Sequence, residues 1–303
     1  MRKSQFFASA LVLICAVNVR GEDVFDRVEH HYADSDGVKI HYVTIGEGPV
    51  ILFVHGFPDF WYTWRHQMEE LSGSFKCVAM DTRGYNKSDK PEGVENYAMD
   101  RLLSDVGAVI DDLGVEKVTL AGHDWGGAIS WRFAINNPDK VERLVILNLT
   151  HPRGYANVIA NATDEQRRNT QYARDFASSE TSPGQSAARY ARAGASGDEA
   201  VAARYLAALE NSDLDAMLNY YRANYGGASS GGGSNPLPNL ACPVLQFHGL
   251  LDTAVDKDGL IRTWDWIDKD YTMVTLPDVG HWVQRDGAET VTTTMKWWLL
   301  SRQ

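Results

Sequence analysis

Asp124 stands in the stretch Val118-Thr119-Leu120-Ala121-Gly122-His123-Asp124-Trp125-Gly126-Gly127, with the apolar-periodic run Ala128 to Ile135 behind it. The pattern reads as strand, sharp turn, helix. Gly122 and Gly126 lie two positions to either side of the aspartate, where a tight strand-to-helix turn leaves no room for larger side chains. The side chain at the elbow is therefore exposed. It sits at a helix N-terminus, where unpaired amides favour negative charge and keep a carboxylate ionised. An ionised carboxylate suits displacement at saturated carbon. It is anionic at neutral pH without a base to activate it, and it leaves an ester that water can cleave; a serine would suit acyl carbon instead. The plain alternative is that Asp124 is only the helix N-cap.

The elbow, together with His55-Gly56-Phe57-Pro58, resembles the α/β-hydrolase superfamily with aspartate in place of the usual serine, and the epoxide hydrolases in particular. The resemblance covers nearly the whole chain after residue 22. It implies an α/β-hydrolase fold, a mostly parallel eight-stranded sheet with a helical cap inserted after the sixth strand. It also implies roles for particular residues. Asp124 is the nucleophile. His281, in the turn Gly280-His281-Trp282, is the general base, and Asp252 is the acid that holds its tautomer and charge, with Asp256 and Asp258 as nearby alternatives. Some relatives carry this acid after the sixth strand, where this chain has Asn148, which cannot carry the charge. The amides of Phe57 and Trp125 form the oxyanion hole, and the Phe57–Pro58 bond is expected to be cis. Two cap tyrosines, Tyr172 and Tyr221, donate to the leaving epoxide oxygen, with Tyr220 the competitor for the second place. Trp61, Phe57 and Trp125 are expected to line an apolar pocket for a small lipophilic epoxide, although alone they would be ordinary core. His55 and His123 read as structural.

Two rival activities have specific signatures. Haloalkane dehalogenases resemble this chain at Trp125 but carry asparagine where it has Phe57. Among haloacid dehalogenases, the fluoroacetate enzymes carry arginines where it has Trp125 and Ala128. A non-catalytic binding protein on the same fold would not need nucleophile, base and acid together.

The elements that must position these residues follow from the pattern along the chain. Short β-prone runs Val28 to Tyr32, Lys39 to Tyr42 and Val50 to Val54, separated by turn residues, read as a three-stranded meander. An aromatic helix through Trp61, Trp64 and Leu71 follows. From Cys77 to Asn148 strands and helices alternate, which builds a parallel sheet whose ligands sit beyond the carboxyl ends of its strands. Between Thr150 and Leu240 strand signals vanish. Three pairs there read as helix starts: Thr163 with Gln166, Ser196 with Glu199, and Ser212 with Asp215. The Gly/Ser-rich stretch 226–236 reads as a tether, either a lid hinge or a surface loop. Strands return at Val244 to Phe247 and Tyr271 to Leu276, and a last helix carries Val291, Met295, Trp298 and Leu299 on one face.

The expected organisation is a signal peptide at 1–21, a core in two parts at 22–150 and 240–303, and the cap at 151–239. Arg2 and Lys3, the apolar run Phe6 to Val17, and the small residues Val19 and Gly21 occur in signal-peptide order, and the run is too short for a membrane span. The expected location is thus secreted or periplasmic, with no integral membrane segment after processing. The 303 residues carry 29 basic and 40 acidic side chains, a net charge of −11, with no basic stripe, so nucleic acid is a poor partner. Cys77 and Cys242 read as buried free thiols, no spacing suggests a metal, and the chemistry asks for no cofactor. Nothing in the sequence sets an oligomeric state.

Overall fold

The structure, a computed structural model, describes residues 22–179, 187–195, 197–225 and 237–302. The expected signal peptide, Ser196 and the tether at 226–236 lie outside the described residues. The chain opens with α1 (Val24–Arg27), β1 (Glu29–Ser35), β2 (Val38–Ile45) and β3 (Val50–Val54). It continues through α2 (Arg65–Leu71), β4 (Lys76–Met80), α3 (Met99–Asp112), β5 (Val118–His123), α4 (Trp125–Asn136) and β6 (Val141–Leu147). Among the described residues six helices intervene: α5 (Pro152–Ala160), α6 (Asp164–Asn169), α7 (Gln171–Ser178), α8 (Ala187–Ala195), α9 (Glu199–Asn211) and α10 (Leu214–Asn224). Then come β7 (Val244–Gly249), β8 (Tyr271–Leu276), α11 (Val283–Asp286) and α12 (Ala288–Leu300).

The eight strands form one sheet in the order β1-β2-β4-β3-β5-β6-β7-β8, parallel from β4 onward, with β2 antiparallel to both its neighbours. The expected meander is therefore corrected. β1 and β2 pair as a hairpin, but β4 lies between β2 and β3. The cause is legible in composition: all five residues of Val50–Val54 are apolar and buried, the signature of an interior strand covered on both faces. Alternation along β3 splits its side chains between two cores. Val50, Leu52 and Val54 join the layer under α3, α4 and α10, while Ile51 and Phe53 join that under α2 and α12. Val291, Met295, Trp298 and Leu299 of α12 are fully buried in the second layer. Cys77 and Cys242 are buried free thiols, and burial pushes both up to about 12. No helix among the described residues is long and apolar enough to cross a membrane.

In the helical insertion, Thr163 and Gln166 form a reciprocal capping box at the start of α6. The other two starts are corrected. Asp198 caps α9 and Asp213 caps α10, each accepting from two amides of the first turn. A carboxylate one or two residues further along does the work expected of the serine. Ser212 instead donates to the Ala208 carbonyl and accepts from the Asn86 amide, tying the insertion to the core.

Candidate active site

The carboxyl ends of β3, β5, β6, β7 and β8 lead into loops carrying Phe57, Asp124, Asn148, Asp252 and His281. At the elbow Asp124 has φ 54° and ψ −122°, a left-handed conformation costly for a residue with a Cβ. Close packing enforces it. A Cβ on Gly126 would collide with the Val54 carbonyl, and one on Gly122 with the Gly126 carbonyl and the Ser130 hydroxyl. So α4 lies against β3 and β5 at a separation only glycine permits. The Asp124 side chain does not cap α4. Its two oxygens face different groups: Oδ1 accepts from the Phe57 amide at 2.8 Å, and Oδ2 lies 3.4 Å from Nε2 of His281. The Phe57–Pro58 bond is cis.

His281 is held from three directions. Its Nδ1 lies 2.8 Å from Oδ2 of Asp252, its Nε2 faces Asp124, and its backbone carbonyl accepts from Nε2 of His123 at 2.8 Å. Asp252 is itself fixed by the amides of Ala254 (2.7 Å) and Val255 (3.0 Å) on Oδ1 and by Nδ2 of Asn148 (2.7 Å) on Oδ2. Asp256 caps a short turn of helix and accepts from Gln166, so it does not compete for His281. Asp258 lies within that same turn.

The charges follow from this arrangement. Burial would push the His281 imidazole down, but Asp252 and Asp124 outweigh it and hold it up at about 10. Burial would raise Asp252, yet His281, Asn148 and the Val255 amide hold it down at about 2. Asp124 is likewise held below the ordinary carboxylate range: burial opposes its charge, while His281 and the Trp125 amide favour it. His123, buried beside the cationic His281, is pushed down to about 4 and stays neutral.

Above these groups lies a cavity of about 380 Å³, roofed by the helical insertion. Asp124 and His281 form its floor, Phe57 and Phe176 part of its apolar wall, and Tyr172 and Tyr221 face it from α7 and α10. The rings of these tyrosines are 6.4 Å apart. Burial, each other and the Asp124 charge raise the Tyr221 phenol well above its usual value. For Tyr172 the surrounding protein and the Asp124 and Asp252 charges act the same way, though 37% of its surface is open to solvent. Both hydroxyls keep their protons. Tyr220 points elsewhere: its hydroxyl donates to the Arg83 carbonyl at 2.8 Å beneath α10.

Two pocket expectations are corrected. Trp61 is fully buried, stacked on Phe25 at 5.4 Å, and does not line the cavity. It faces the second core layer because the chain after Phe60 turns through a short 3₁₀ helix whose four residues are all buried. The Trp125 indole also stays off the cavity wall; it backs Tyr221 edge-on at 5.1 Å. His55 bridges the Gly56 carbonyl and the Thr82 amide, a structural role.

Sequence reasoning missed the part played by Asn148. It dismissed this residue as an acid, but the fully buried amide, at φ 42°, donates to Asp252 and to the Gly280 carbonyl and accepts from the Gly249 amide. The available signal was an amide at the end of a buried strand, where an uncharged donor has to find an acceptor. Asp59 was also missed: it accepts from Tyr205 of α9 (2.9 Å) and from the Trp282 indole (3.1 Å), joining insertion and core beside the cavity.

Comparison with known proteins agrees with this architecture. The family model for the alpha/beta hydrolase fold matches residues 49–288. The chain is similar to epoxide hydrolase 1 of Caenorhabditis elegans, at 29% identity over 96% of this chain and 78% of that protein. It is 31% identical to epoxide hydrolase 2 of the same organism, over 88% of this chain and 79% of that one. The crystal structure of Bacillus megaterium epoxide hydrolase in complex with an inhibitor superposes with a TM-score of 0.81 at 29% identity, covering 89% of this chain and 99% of that one. By fold, elbow and these similarities, the chain belongs to the epoxide hydrolase family of the α/β-hydrolase fold.

Proposed function

We propose that this protein opens epoxides to vicinal diols through a covalent ester on Asp124. The observation that carries the reading is the division of labour on one carboxylate: Oδ1 accepts from the Phe57 amide, while Oδ2 lies 3.4 Å from Nε2 of His281 on the floor of the cavity. In the first step Oδ2 attacks an oxirane carbon, the carbon–oxygen bond breaks, and its electron pair stays on the leaving oxygen. Tyr172 and Tyr221 hydrogen-bond that oxygen as charge develops on it. In the second step water attacks the ester carbon and His281 takes its proton. The Phe57 and Trp125 amides hold the negative charge that builds on Oδ1, and collapse releases the diol and restores the carboxylate.

The proton count closes. The resting imidazole is cationic because two carboxylates flank it. Esterification removes the Asp124 charge, so His281 loses one of its two supports just when the leaving oxygen needs one proton. The imidazole ends the first step neutral, ready to act as base in the second, with Asp252 still stabilising its return to the cation.

The test is turnover of a panel of lipophilic epoxides with the diol as measured product. Diol formation that disappears in Asp124→Ala supports the reading, and a wild-type protein that opens none of them contradicts it. We also infer export, from the order of charge, apolar run and small residues at 1–21. N-terminal sequencing of exported protein should begin near Glu22, and a start at Met1 would contradict the inference.

A further inference from the structure

Arg285 lies on α11, four residues after His281, and lines the same cavity. Its side chain is 4% exposed and packs over the Trp282 ring, 4.9 Å from its centre. A guanidinium taken this far out of water needs acceptors for its donors, and the structure supplies them poorly. The nearest carboxylate oxygen, Oδ1 of Asp59, is 3.9 Å from Nη1, beyond hydrogen-bond distance, and both Asp59 oxygens already accept from Tyr205 and Trp282. The Tyr205 hydroxyl accepts from the guanidinium, and the Asp286 charge attracts it more weakly. Nε has no partner. A second arginine, Arg189 on α8, lines the same cavity with no carboxylate partner among the described residues. In a chain with 29 basic against 40 acidic residues, two arginines on one small cavity are not a general surplus of positive charge.

We infer that the preferred substrates are epoxides bearing a carboxylate, with Arg285 receiving that group and Arg189 assisting from the insertion. The inference rests on the epoxide reading above and specifies its substrate class. The other charges around the cavity balance: Asp59, Asp124 and Asp252 face Arg285, Arg189 and the His281 cation, and the two arginines stand away from the Asp252–His281–Asp124 row. Phe57, Phe176 and Tyr190 give the connecting carbon chain an apolar wall. A carboxylate binds a guanidinium through two parallel hydrogen bonds, which would satisfy the donors that Asp59 leaves open.

The experiment compares a terminal-epoxide alkanoate with its methyl ester, which has the same carbon chain and no charge. The wild type should favour the acid in kcat/KM by about tenfold or more, mainly through KM. Arg285→Gln should bring that ratio close to one, Arg285→Lys should restore part of it, and Arg189→Gln should lower it less and in a salt-sensitive way. Because each is a ratio within one variant, a general loss of activity does not mimic the effect. Binding of decanoate against decanamide, measured by calorimetry, reports the arginine site even if no epoxide is opened, which separates failure of this inference from failure of the epoxide reading. A wild type that handles acid and ester alike and binds decanoate no better than decanamide overturns the inference.

Discussion

The two sides of the cavity are built by different means. On the sheet side, Asp124, Asp252 and His281 hang from strand ends and are fixed by backbone contacts: the elbow's glycine packing, the Ala254 and Val255 amides, and the His281 carbonyl on His123. On the helical side, Tyr172 and Tyr221 are placed by ring packing against each other, Phe176 and Trp125. The sheet side thus fixes where charge sits before substrate arrives. The helical side supplies neutral donors whose position depends on how the insertion packs. Geometry set by backbone tolerates little, whereas geometry set by side-chain contacts can be altered by degrees.

That contrast orders the expected effects of mutation. In the proposed mechanism Asp124→Ala removes the attacking carboxylate, so it should lower diol formation on the order of 10⁴-fold or more, measured as steady-state turnover. On the helical side, Tyr221→Phe should slow ring opening ~10²–10³-fold, as for loss of one donor to a developing oxyanion, and Tyr172→Phe somewhat less, since its ring is more open to solvent. Single-turnover alkylation rates measure both. Tyr220→Phe, one residue away, should leave the rate nearly unchanged but cost about 1 kcal/mol of stability, because the buried Arg83 carbonyl loses its donor. If Tyr220→Phe and Tyr221→Phe slow alkylation equally, the distinction drawn between the adjacent tyrosines is wrong.

Smaller effects probe the charge on the sheet side. Asn148→Ala strips one donor from Asp252, so the Asp252 carboxyl should rise from about 2 and hydrolysis of the ester should slow about tenfold while alkylation is spared. Rapid-quench separation of the two steps decides it. The pH dependence of stability follows from the same charges. His281 is raised in the folded state to about 10, so its contribution is complete below its unfolded value near 6.5 and is lost as pH climbs toward 10. Asp252 is lowered, so its contribution is complete above its unfolded value near 3.8 and fades as pH falls toward 2. Thermal melts of the wild type should therefore weaken on the alkaline side in a way that His281→Gln does not.

How much was legible in advance divides along the same line. The elbow is a local rule about small residues around one position, so Asp124 and its turn could be read directly from Gly122 and Gly126. The sheet's strand order could not. Whether β3 pairs with β2 or β4 is a long-range choice, and only its unbroken apolar run hinted that it lies inside. In the helical insertion the motif suggested two tyrosines but could not separate Tyr220 from Tyr221, because adjacent helical residues point about 100° apart and only packing says which faces the cavity. Trp61 failed for the same reason: an aromatic side chain serves a core layer as readily as a pocket. Asn148 was judged by the charge it lacks, and its hydrogen bond to Asp252 depends on a loop more than a hundred residues away.

The central claim is that Asp124 forms a bond to substrate before His281 activates water against the resulting ester. His281→Gln keeps the nucleophile, the Phe57 and Trp125 amides and both tyrosines but removes the base for water; it also removes the imidazolium proton, which solvent then supplies to the leaving oxygen in a slower first step. Mixed with an epoxide that the wild type turns over, this variant should gain the mass of one substrate, and peptide mapping should place the added mass on Asp124. Unmodified His281→Gln protein under those conditions would mean that water, not Asp124, attacks the epoxide, and the two-step account would be wrong.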